Sequence, residues 1–384
     1  MSRIYDGWER LVGAVLRREE DRQLALCESF SSSSTSRFSF SFSFSFSFSF
    51  SFNPFVRNFR NDCRNSGERR DPADLSSLET LFFRNVMAIE YEELKKATKN
   101  FHRAKLLGER AFSRVYKGWI HENYLTATKP GYGISVAIKK MYSESCEGNR
   151  EVLDEIHYLS ELRHPNLIKL IGYSFNADDR ILVYEFMCKG SLDNHLFRRG
   201  HNSLNWETRV KVAIGAARAI AFLHDLAVPV IHRDIKSSYI LLDVDFNAKL
   251  SGFGLARDGP TGDRTHLSTR VTGTYGYAAP EYMTTGHSTT RCDVYSFGAV
   301  LLELMTGLRV FDSKRPVGKR DLVNWAKPYL SNEKKLSRIV DCGLEGKYPP
   351  KEAYEVAKIC MQCLNVEPRL RPKMSEVVGV LESL

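Results

Sequence analysis

The residues of this chain that are best suited to chemistry lie in three short segments. Lys139 ends "VAIK", and "HRDIKSSYILLD" supplies Asp234 and Lys236 two positions apart. A lysine ammonium group stabilises anionic oxygens such as those of phosphates, and a carboxylate can accept a proton from a hydroxyl. The third segment, "NAKLSGFGLARDG", has Gly252 rather than a carboxylate directly before Phe253. Together these residue types indicate a cationic site for an anionic substrate, with one proton acceptor.

From about residue 101 to residue 384 the chain resembles a eukaryotic protein kinase. It is most similar to the plant receptor-like cytoplasmic kinases of the serine/threonine class. Six markers in the correct order carry this resemblance: "VAIKK", "HRDIKSSYILLD", "GFGLAR", "GTYGYAAPEY", "DVYSFG" and "RLRPKM". One marker alone would be weak evidence, but the ordered set is very specific. The resemblance implies an α+β, bilobal protein-kinase fold, with a small β-rich N-lobe and a large helical C-lobe.

The resemblance also implies roles for individual residues. Lys139 would grip the α- and β-phosphates of ATP, and Glu155 would be its ion-pair partner. Asp234 occupies the proton-acceptor position, and Lys236 would reach the γ-phosphate. The remaining ATP-binding positions, with the gatekeeper Tyr184, are Gly108, Val115, Ala137, Tyr184, Glu185, Met187 and Leu241.

Three parts of this nucleotide site depart from the family pattern. The glycine-rich loop, G-x-G-x-x-G in the family, reads "GERAFS", so Gly108 remains while Arg110 and Ser113 replace the other two glycines. Glycine lets a backbone approach phosphates closely, and we therefore expect this loop to cradle phosphates poorly. Tyr239 stands where the family has an Asn that ligates the second magnesium ion, and Gly252 stands where it has the magnesium-binding Asp.

Loss of both metal ligands predicts severely impaired phosphotransfer. Magnesium requires oxygen ligands, usually including a carboxylate, and we expect no normal metal binding here. Lys139, Glu155 and the adenine pocket remain, which predicts weak, magnesium-independent ATP binding. The leading interpretation is a pseudokinase that acts as a scaffold, regulator or decoy in plant receptor-proximal or immune signalling. The alternatives are an active serine/threonine kinase with atypical metal use and a duplicate that drifts without function.

The stretch between Gly252 and Glu281 is, by the same resemblance, an activation segment. Arg233 is placed to pair with a phosphate on it. The phosphorylation candidates are Ser268, Thr269, Thr272 and Thr274. The resemblance further implies a structural ion pair between Glu281 and Arg371, and a supporting role beneath the catalytic loop for Asp293.

The elements that must position these groups follow from the sequence pattern. Strands are predicted for "KLLGERAFSRVYKGWI", "ISVAIKKMY", "NLIKLIGYSF" and "RILVYEFM" by their β-branched and aromatic content. The periodicity of "NREVLDEIHYLSEL" predicts the helix that carries Glu155, and helical patterns dominate after residue 191. We therefore place a kinase-like domain at 101–384, with its N-lobe at about 101–187 and its C-lobe at about 188–384.

Composition narrows the class of protein further. The formal net charge is +9, but the basic residues form no single long run, so we expect solvated surface charge and no nucleic-acid partner. Eight cysteines are scattered along the chain, which indicates a reducing compartment rather than a disulfide framework. Cys360 and Cys363 form a lone CxxC, for which helix-core packing is favoured over zinc. We expect a cytoplasmic protein whose partners are receptor kinases or other signalling proteins.

Residues 1–88 are predicted to form an N-terminal tail. An amphipathic helix is predicted at about 3–26 from apolar residues at helical spacing, namely Ile4, Trp8, Leu11, Val12, Val15 and Leu16. It could lie on an anionic membrane surface, giving peripheral contact with the plasma membrane, or dock on the kinase-like body or a partner. The Ser/Phe tract at 31–52 is of low complexity and is expected to be disordered.

Overall fold

The computed structural model describes residues 86–110, 113–142, 146–176, 179–197, 203–261 and 265–384. The helix predicted at about 3–26 and the Ser/Phe tract at 31–52 lie outside these ranges. Within the described residues, no helix is both long and apolar enough to cross a membrane.

A six-stranded sheet forms the small lobe. Its strands are β1 Met87–Ala88, β2 Leu106–Arg110, β3 Ser113–Ile120, β4 Ile134–Met141, β5 Leu170–Phe175 and β6 Arg180–Glu185. Their order across the sheet is β1-β5-β6-β4-β3-β2, and every neighbouring pair except the parallel β1–β5 is antiparallel. Along β4, Val136 and Ile138 are completely buried while the residues between and beside them are half-buried. This two-residue period confirms the predicted strand.

Two helices accompany this sheet, α1 Tyr91–Ala97 and α2 Cys146–Glu161. In α2, Val152, Ile156 and Leu159 are buried on one side, as the helical spacing predicts. Burial of that side fixes the rotation of the helix about its axis and so determines where its polar residues point.

Residues 86–100 also pack onto the small lobe, ahead of the predicted domain start at 101. β1 pairs with β5, while Ile89 and Leu94 are buried in a cluster with side chains of the sheet. The predicted limits of the tail (1–88) and of the kinase-like domain (101–384) remain predictions.

The large lobe is mainly helical. Its helices are α3 Leu192–Phe197, α4 Trp206–His224, α5 Pro280–Thr285, α6 Thr290–Thr306, α7 Leu322–Leu330, α8 Glu333–Leu336, α9 Pro350–Cys363 and α10 Met374–Glu382. Its short strands are β7 Gly190–Ser191, β8 Val230–Ile231, β9 Ile240–Leu242, β10 Ala248–Leu250, β11 Arg257–Asp258, β12 Leu267–Ser268 and β13 His287–Ser288. Every residue of α6 from Cys292 onward is buried, which makes this helix the centre of the lobe. A β-rich lobe followed by a helical lobe confirms the predicted α+β fold.

The contact between α6 and α9 is close because Gly298 has no side chain. A Cβ at this position would lie 2.8 Å from Cys363 Cβ and 2.9 Å from Leu364 Cγ. Cys360 and Cys363 are both buried in this interface, in agreement with the core packing predicted for them.

We expect Gly298→Ala to lower the free energy of unfolding by about 1–3 kcal/mol, because the added methyl group overpacks the α6–α9 contact. Gly379→Ala in α10 is the matched control, since an added Cβ there meets no atom within 4 Å. Alanine is the better helix former, so the control is expected to gain up to about 1 kcal/mol. Urea denaturation measures both variants, and equal shifts in the two would contradict the close approach.

Candidate nucleotide-binding site

The predicted ion pair on the small lobe is formed. Lys139 lies on β4 and its Nζ atom is 2.9 Å from Glu155 Oε2 on α2. The Glu155 carboxylate is buried, while the Lys139 ammonium group keeps some exposure. Arg257 Nη1 lies 2.8 Å from Asp154 Oδ2, which ties the same helix to the segment after Gly252. The helix therefore holds Glu155 against the strand lysine that the resemblance assigns to ATP phosphates.

Asp234 and Lys236 lie together at the start of the large lobe. Lys236 Nζ is 2.6 Å from Asp234 Oδ2, and the Thr274 hydroxyl donates to Asp234 Oδ1 at 2.7 Å. Lys236 also donates to Thr274 at 2.7 Å. The predicted proton acceptor and phosphate-binding lysine are thus adjacent, and a residue of the activation segment completes their hydrogen bonding.

Asp293 on α6 supports this loop from below. Its completely buried carboxylate accepts hydrogen bonds from the backbone N–H groups of His232, at 2.8 Å, and Arg233, at 2.9 Å. Arg233 has a φ of 71°, a left-handed conformation that costs energy for a residue with a side chain. The two hydrogen bonds to Asp293 offset this cost and hold the loop in place, which agrees with the support predicted for Asp293.

The four phosphorylation candidates lie in different surroundings. Arg233 Nη2 donates to Thr269 at 2.7 Å and to Thr272 at 3.0 Å. Ser268 is exposed in β12, and the Thr274 hydroxyl is engaged by Asp234. Thr269 and Thr272 are therefore the two positions at which a phosphate would meet a guanidinium group. Which of them carries phosphate remains a prediction.

Residues predicted to surround adenine lie on both lobes. Val115 on β3 pairs in register with Lys139, and Ala137 on β4 pairs with Tyr184 on β6. Val115 and Ala137 are half-buried, as is Leu241 on β9, which suits side chains that line a cleft. The remaining positions differ: Gly108 on β2 is exposed, Met187 after β6 is buried, and the Glu185 carboxylate is bound by Lys249 Nζ at 2.8 Å.

The two predicted magnesium positions are in direct contact with each other. Gly252 has a φ of 83°, and a Cβ built on it would lie 2.6–2.8 Å from ring carbons Cδ2, Cε2 and Cγ of Tyr239. Carbon atoms do not approach so closely, so the ring occupies the space that any side chain at position 252 would need. Tyr239 in this position and a carboxylate at 252 exclude one another.

Cations flank the Tyr239 ring. Lys236 Nζ lies 4.1 Å from the ring centroid, and the Arg110 guanidinium carbon, on β2 of the small lobe, lies 6.0 Å from it. Both distances are within the range of cation–π attraction. Arg110 pairs in register with Ser113 across the β2–β3 hairpin. Two of the four residues that depart from the glycine-rich and metal-binding patterns, Arg110 and Tyr239, are thus neighbours in space.

The residues present do not fit magnesium. Burial raises the pKa of Tyr239, and the nearby carboxylates of Asp234 and Glu155 raise it further, so the phenol stays neutral. A neutral phenol is a poor replacement for the charged oxygen ligands that magnesium requires. Among the described residues, no three His, Cys, Asp or Glu side chains are grouped so as to hold a metal ion. Gly252 supplies no ligand atom from a side chain.

The activation segment is anchored by an ion pair between a buried arginine and a half-buried glutamate. Arg371 Nη1 and Nη2 donate to Glu281 Oε1 and Oε2 at 2.6 and 2.7 Å, a bidentate arrangement. The Arg371 side chain is completely buried. The structure thus brings together the two residues that the resemblance pairs.

A buried carboxyl group links the catalytic loop to α6. Glu303 accepts from the Tyr277 hydroxyl and from the Val310 N–H, both at 2.8 Å, and Tyr277 lies 3.1 Å from the Ser237 hydroxyl. Burial raises the pKa of Glu303 to about 7, although these hydrogen bonds act in the opposite direction.

This raised pKa makes stability depend on pH. Glu303 holds a proton in the folded protein at pH values where the unfolded chain, with an ordinary pKa of 4.5, has lost it. The folded state binds more protons, so the free energy of unfolding falls by about 3 kcal/mol as pH rises from about 4.5 to about 7. We expect Glu303→Gln to remove this slope in denaturation curves recorded across the range, whereas the exposed Glu345→Gln keeps it. An unchanged slope in Glu303→Gln would rule the raised pKa out.

Sequence reasoning missed two features of this site. It assigned Arg110, Tyr239 and Gly252 to one nucleotide site, but it did not predict that the Tyr239 ring occupies the side-chain space of Gly252 and lies within cation–π distance of Arg110. It also missed that Thr274 bonds Asp234. The sequence did contain an indication of the Tyr239–Gly252 contact, since a large ring stands at one predicted magnesium position and a glycine at the other.

Comparisons with known proteins found similar sequences over most of the chain. A family model described as "Protein tyrosine and serine/threonine kinase" matches residues 101–381. The chain is 54% identical over 313 residues, 82% of its length and 74% of the relative's, to "Probable serine/threonine-protein kinase PBL3" of Arabidopsis thaliana. It is 52% identical over 315 residues, 82% and 80% of the two lengths, to "Receptor-like cytoplasmic kinase 176" of Oryza sativa subsp. japonica. It is 54% identical over 301 residues, 78% and 76%, to "Serine/threonine-protein kinase BIK1" of Arabidopsis thaliana.

Proposed function

The chain belongs to the protein tyrosine and serine/threonine kinase family, among the plant receptor-like cytoplasmic kinases, and we propose that it has kept the kinase fold but lost most phosphotransfer activity. One observation carries this proposal: the Tyr239 ring occupies the space of a side chain at position 252. The protein then acts as a pseudokinase, serving as scaffold, regulator or decoy near receptor kinases in immune signalling.

The chemical argument concerns charge on the transferred phosphoryl group. In kinases, metal ions bridge the β- and γ-phosphate oxygens and neutralise the charge that develops there, which contributes several kcal/mol. Each ~1.4 kcal/mol corresponds to a tenfold change in rate. Without a carboxylate at 252 or an amide at 239, we expect a loss of about three orders of magnitude or more.

A scaffold role is supported by the contacts that preserve the kinase outline. The Lys139–Glu155 pair is formed, Asp293 holds the catalytic loop, and Arg371 anchors the activation segment. None of these contacts requires a nucleotide or a metal ion. The kinase fold can therefore form without catalytic activity, and receptor kinases or other signalling proteins could bind its surface. A cytoplasmic location with peripheral plasma-membrane contact through the N-terminal helix remains part of the proposal.

An active kinase with atypical metal use is the second candidate function. Asp234 and Lys236 are adjacent, the Lys139–Glu155 pair is intact, and the relatives' printed names are those of kinases. Phosphate transfer to a general serine/threonine substrate separates the two candidates. We expect the native chain to give no more transfer than Asp234→Asn, and native activity that Asp234→Asn abolishes would overturn the pseudokinase proposal.

Nucleotide binding is proposed to survive without magnesium. Lys139 and the half-buried adenine-pocket positions Val115, Ala137 and Leu241 remain, and position 252 no longer contributes a negative charge next to the phosphates. We propose weak, metal-independent binding of ATP-like ligands in this cleft.

A further inference from the structure

Three of the four replaced positions form one contact unit, which consists of Arg110, Tyr239 and Gly252. The Tyr239 ring fills the side-chain space of Gly252 from one direction. Arg110 approaches the same ring from β2 of the small lobe, at 6.0 Å from its centroid. The ring thus lies between a large-lobe backbone and a small-lobe guanidinium group, across the opening between the lobes.

This contact unit lies at the phosphate end of the cleft. Lys236, which the resemblance places at the γ-phosphate, is 4.1 Å from the ring centroid. Asp234 and Glu155 are close enough to raise the pKa of the Tyr239 phenol. Val115 and Ala137, on the strands predicted to cover adenine, retain residues that fit the family pattern. The contact unit therefore lies at the end of the cleft where the last phosphate of ATP would lie.

The phosphate end of the cleft also differs from the family pattern in its charged groups. Lys139 is paired with Glu155, and Lys236 with Asp234. Among the residues that the structure describes, Arg110 has no carboxylate within ion-pair distance, unlike the two lysines. Each additional phosphate brings negative charge that no magnesium ion offsets here, and a single guanidinium group balances a short phosphate chain better than a long one.

We propose that Tyr239 is an internal occupant of the phosphate end, and that the cleft therefore binds adenosine mono- or diphosphate in preference to ATP, without a metal ion. The ring takes the volume of the terminal phosphate, and Arg110 supplies the charge that holds the shorter chain. This inference rests on the proposed metal-independent nucleotide binding and specifies which ligand that cleft selects.

Calorimetric titration of the full chain with AMP, ADP and ATP in EDTA tests the proposal. We expect the native protein to bind ADP about tenfold more tightly than ATP. Tyr239→Phe keeps the ring and is expected to keep this ratio. Tyr239→Ala and Tyr239→Asn remove the ring, and we expect both to bring the two affinities within about threefold of each other.

Arg110→Ala tests the charge. We expect it to weaken ADP binding about tenfold, whereas Arg114→Ala, on β3 and paired with Glu109, changes it by less than about threefold. Three results would overturn the proposal: ATP binding as tightly as ADP in the native chain, a preference that persists in both ring-free variants, or no adenine nucleotide binding at all.

These results are distinguishable from failure of the pseudokinase proposal. Native phosphotransfer together with an ADP preference would reject lost catalysis and retain the ligand selection. Absent phosphotransfer together with a preference for ATP would retain the proposed loss of catalysis and reject the proposed ligand selection.

Discussion

Replacing Gly252 by Asp and Tyr239 by Asn in the same chain is expected to raise phosphotransfer by about three orders of magnitude or more. The two replacements return the carboxylate and the amide that hold magnesium in the family. The Lys139–Glu155 and Lys236–Asp234 pairs, to which the resemblance assigns phosphate binding and proton transfer, are already formed. The pair of metal ligands is thus the main missing part.

Neither replacement is expected to suffice alone. In Gly252→Asp the new Cβ would lie within 2.8 Å of the Tyr239 ring, so the carboxylate reaches its place only if the ring moves. The φ of 83° adds strain, though Asp tolerates the left-handed region better than most residues. Tyr239→Asn alone provides an amide without a carboxylate. We therefore expect strong non-additivity, with each single variant giving a small fraction of the double variant's activity.

Phosphate incorporation into a general serine/threonine substrate measures this series. Adding Asp234→Asn to the double variant is the control, and it should return the signal to background. A silent but folded double variant would mean that the missing ligands do not explain the loss. Equal activity in Gly252→Asp and in the double variant would show that Tyr239 does not obstruct the site.

Arg371→Leu is expected to lower the free energy of unfolding by about 3 kcal/mol, the lower end of the cost of breaking a buried pair, because Glu281 keeps some exposure to solvent. Arg371 is completely buried and binds the Glu281 carboxylate with both Nη atoms. Its Nε and Nη1 atoms also donate to the backbone carbonyl groups of Asn365, at 2.8 Å, and Arg291, at 2.9 Å. The replacement leaves the carboxylate without its counter-charge and removes the Arg371 donors from both carbonyl groups. Removing a buried partner of an ion pair is costly for this reason.

An exposed ion pair supplies the control for Arg371. Lys347 and Glu345 lie 2.7 Å apart with 80% and 70% of their side chains exposed, and we expect Lys347→Ala to change stability by less than about 0.5 kcal/mol. The double variant Arg371→Leu with Glu281→Leu should recover part of the loss, since it leaves no buried charge. Urea denaturation that shows equal effects for Arg371→Leu and Lys347→Ala would contradict the structural role of the buried pair.

The sequence predicted those parts of the site that depend on ordered motifs. The Lys139–Glu155 and Glu281–Arg371 pairs were predicted from the resemblance that the ordered motifs carry, and both pairs are formed. The meeting of Tyr239 with Gly252 could not be predicted in this way. It depends on the left-handed backbone at Gly252 and on the direction of one ring, and neither has a signature in the spacing of residues. The approach of Arg110 depends in addition on how the β2–β3 hairpin lies over the large lobe.

The packing of residues 86–100 on the small lobe also could not be predicted from sequence motifs. Ile89 and Leu94 carry no motif, and their burial follows only from the pairing of β1 with β5. Apolar residues in a short segment do not reveal which sheet edge they will cover. Local pattern therefore predicted the elements, and tertiary contact decided where this segment lies.

Nucleotide affinity with and without magnesium tests most directly whether this site has lost its metal ions. The dissociation constant of ADP for the full native chain would be measured by calorimetry in EDTA and in saturating magnesium. We expect magnesium not to tighten ADP binding, because position 252 lacks a carboxylate and position 239 lacks an amide to hold the metal ion. Tightening by tenfold or more, about 1.4 kcal/mol, would contradict the loss of the metal site.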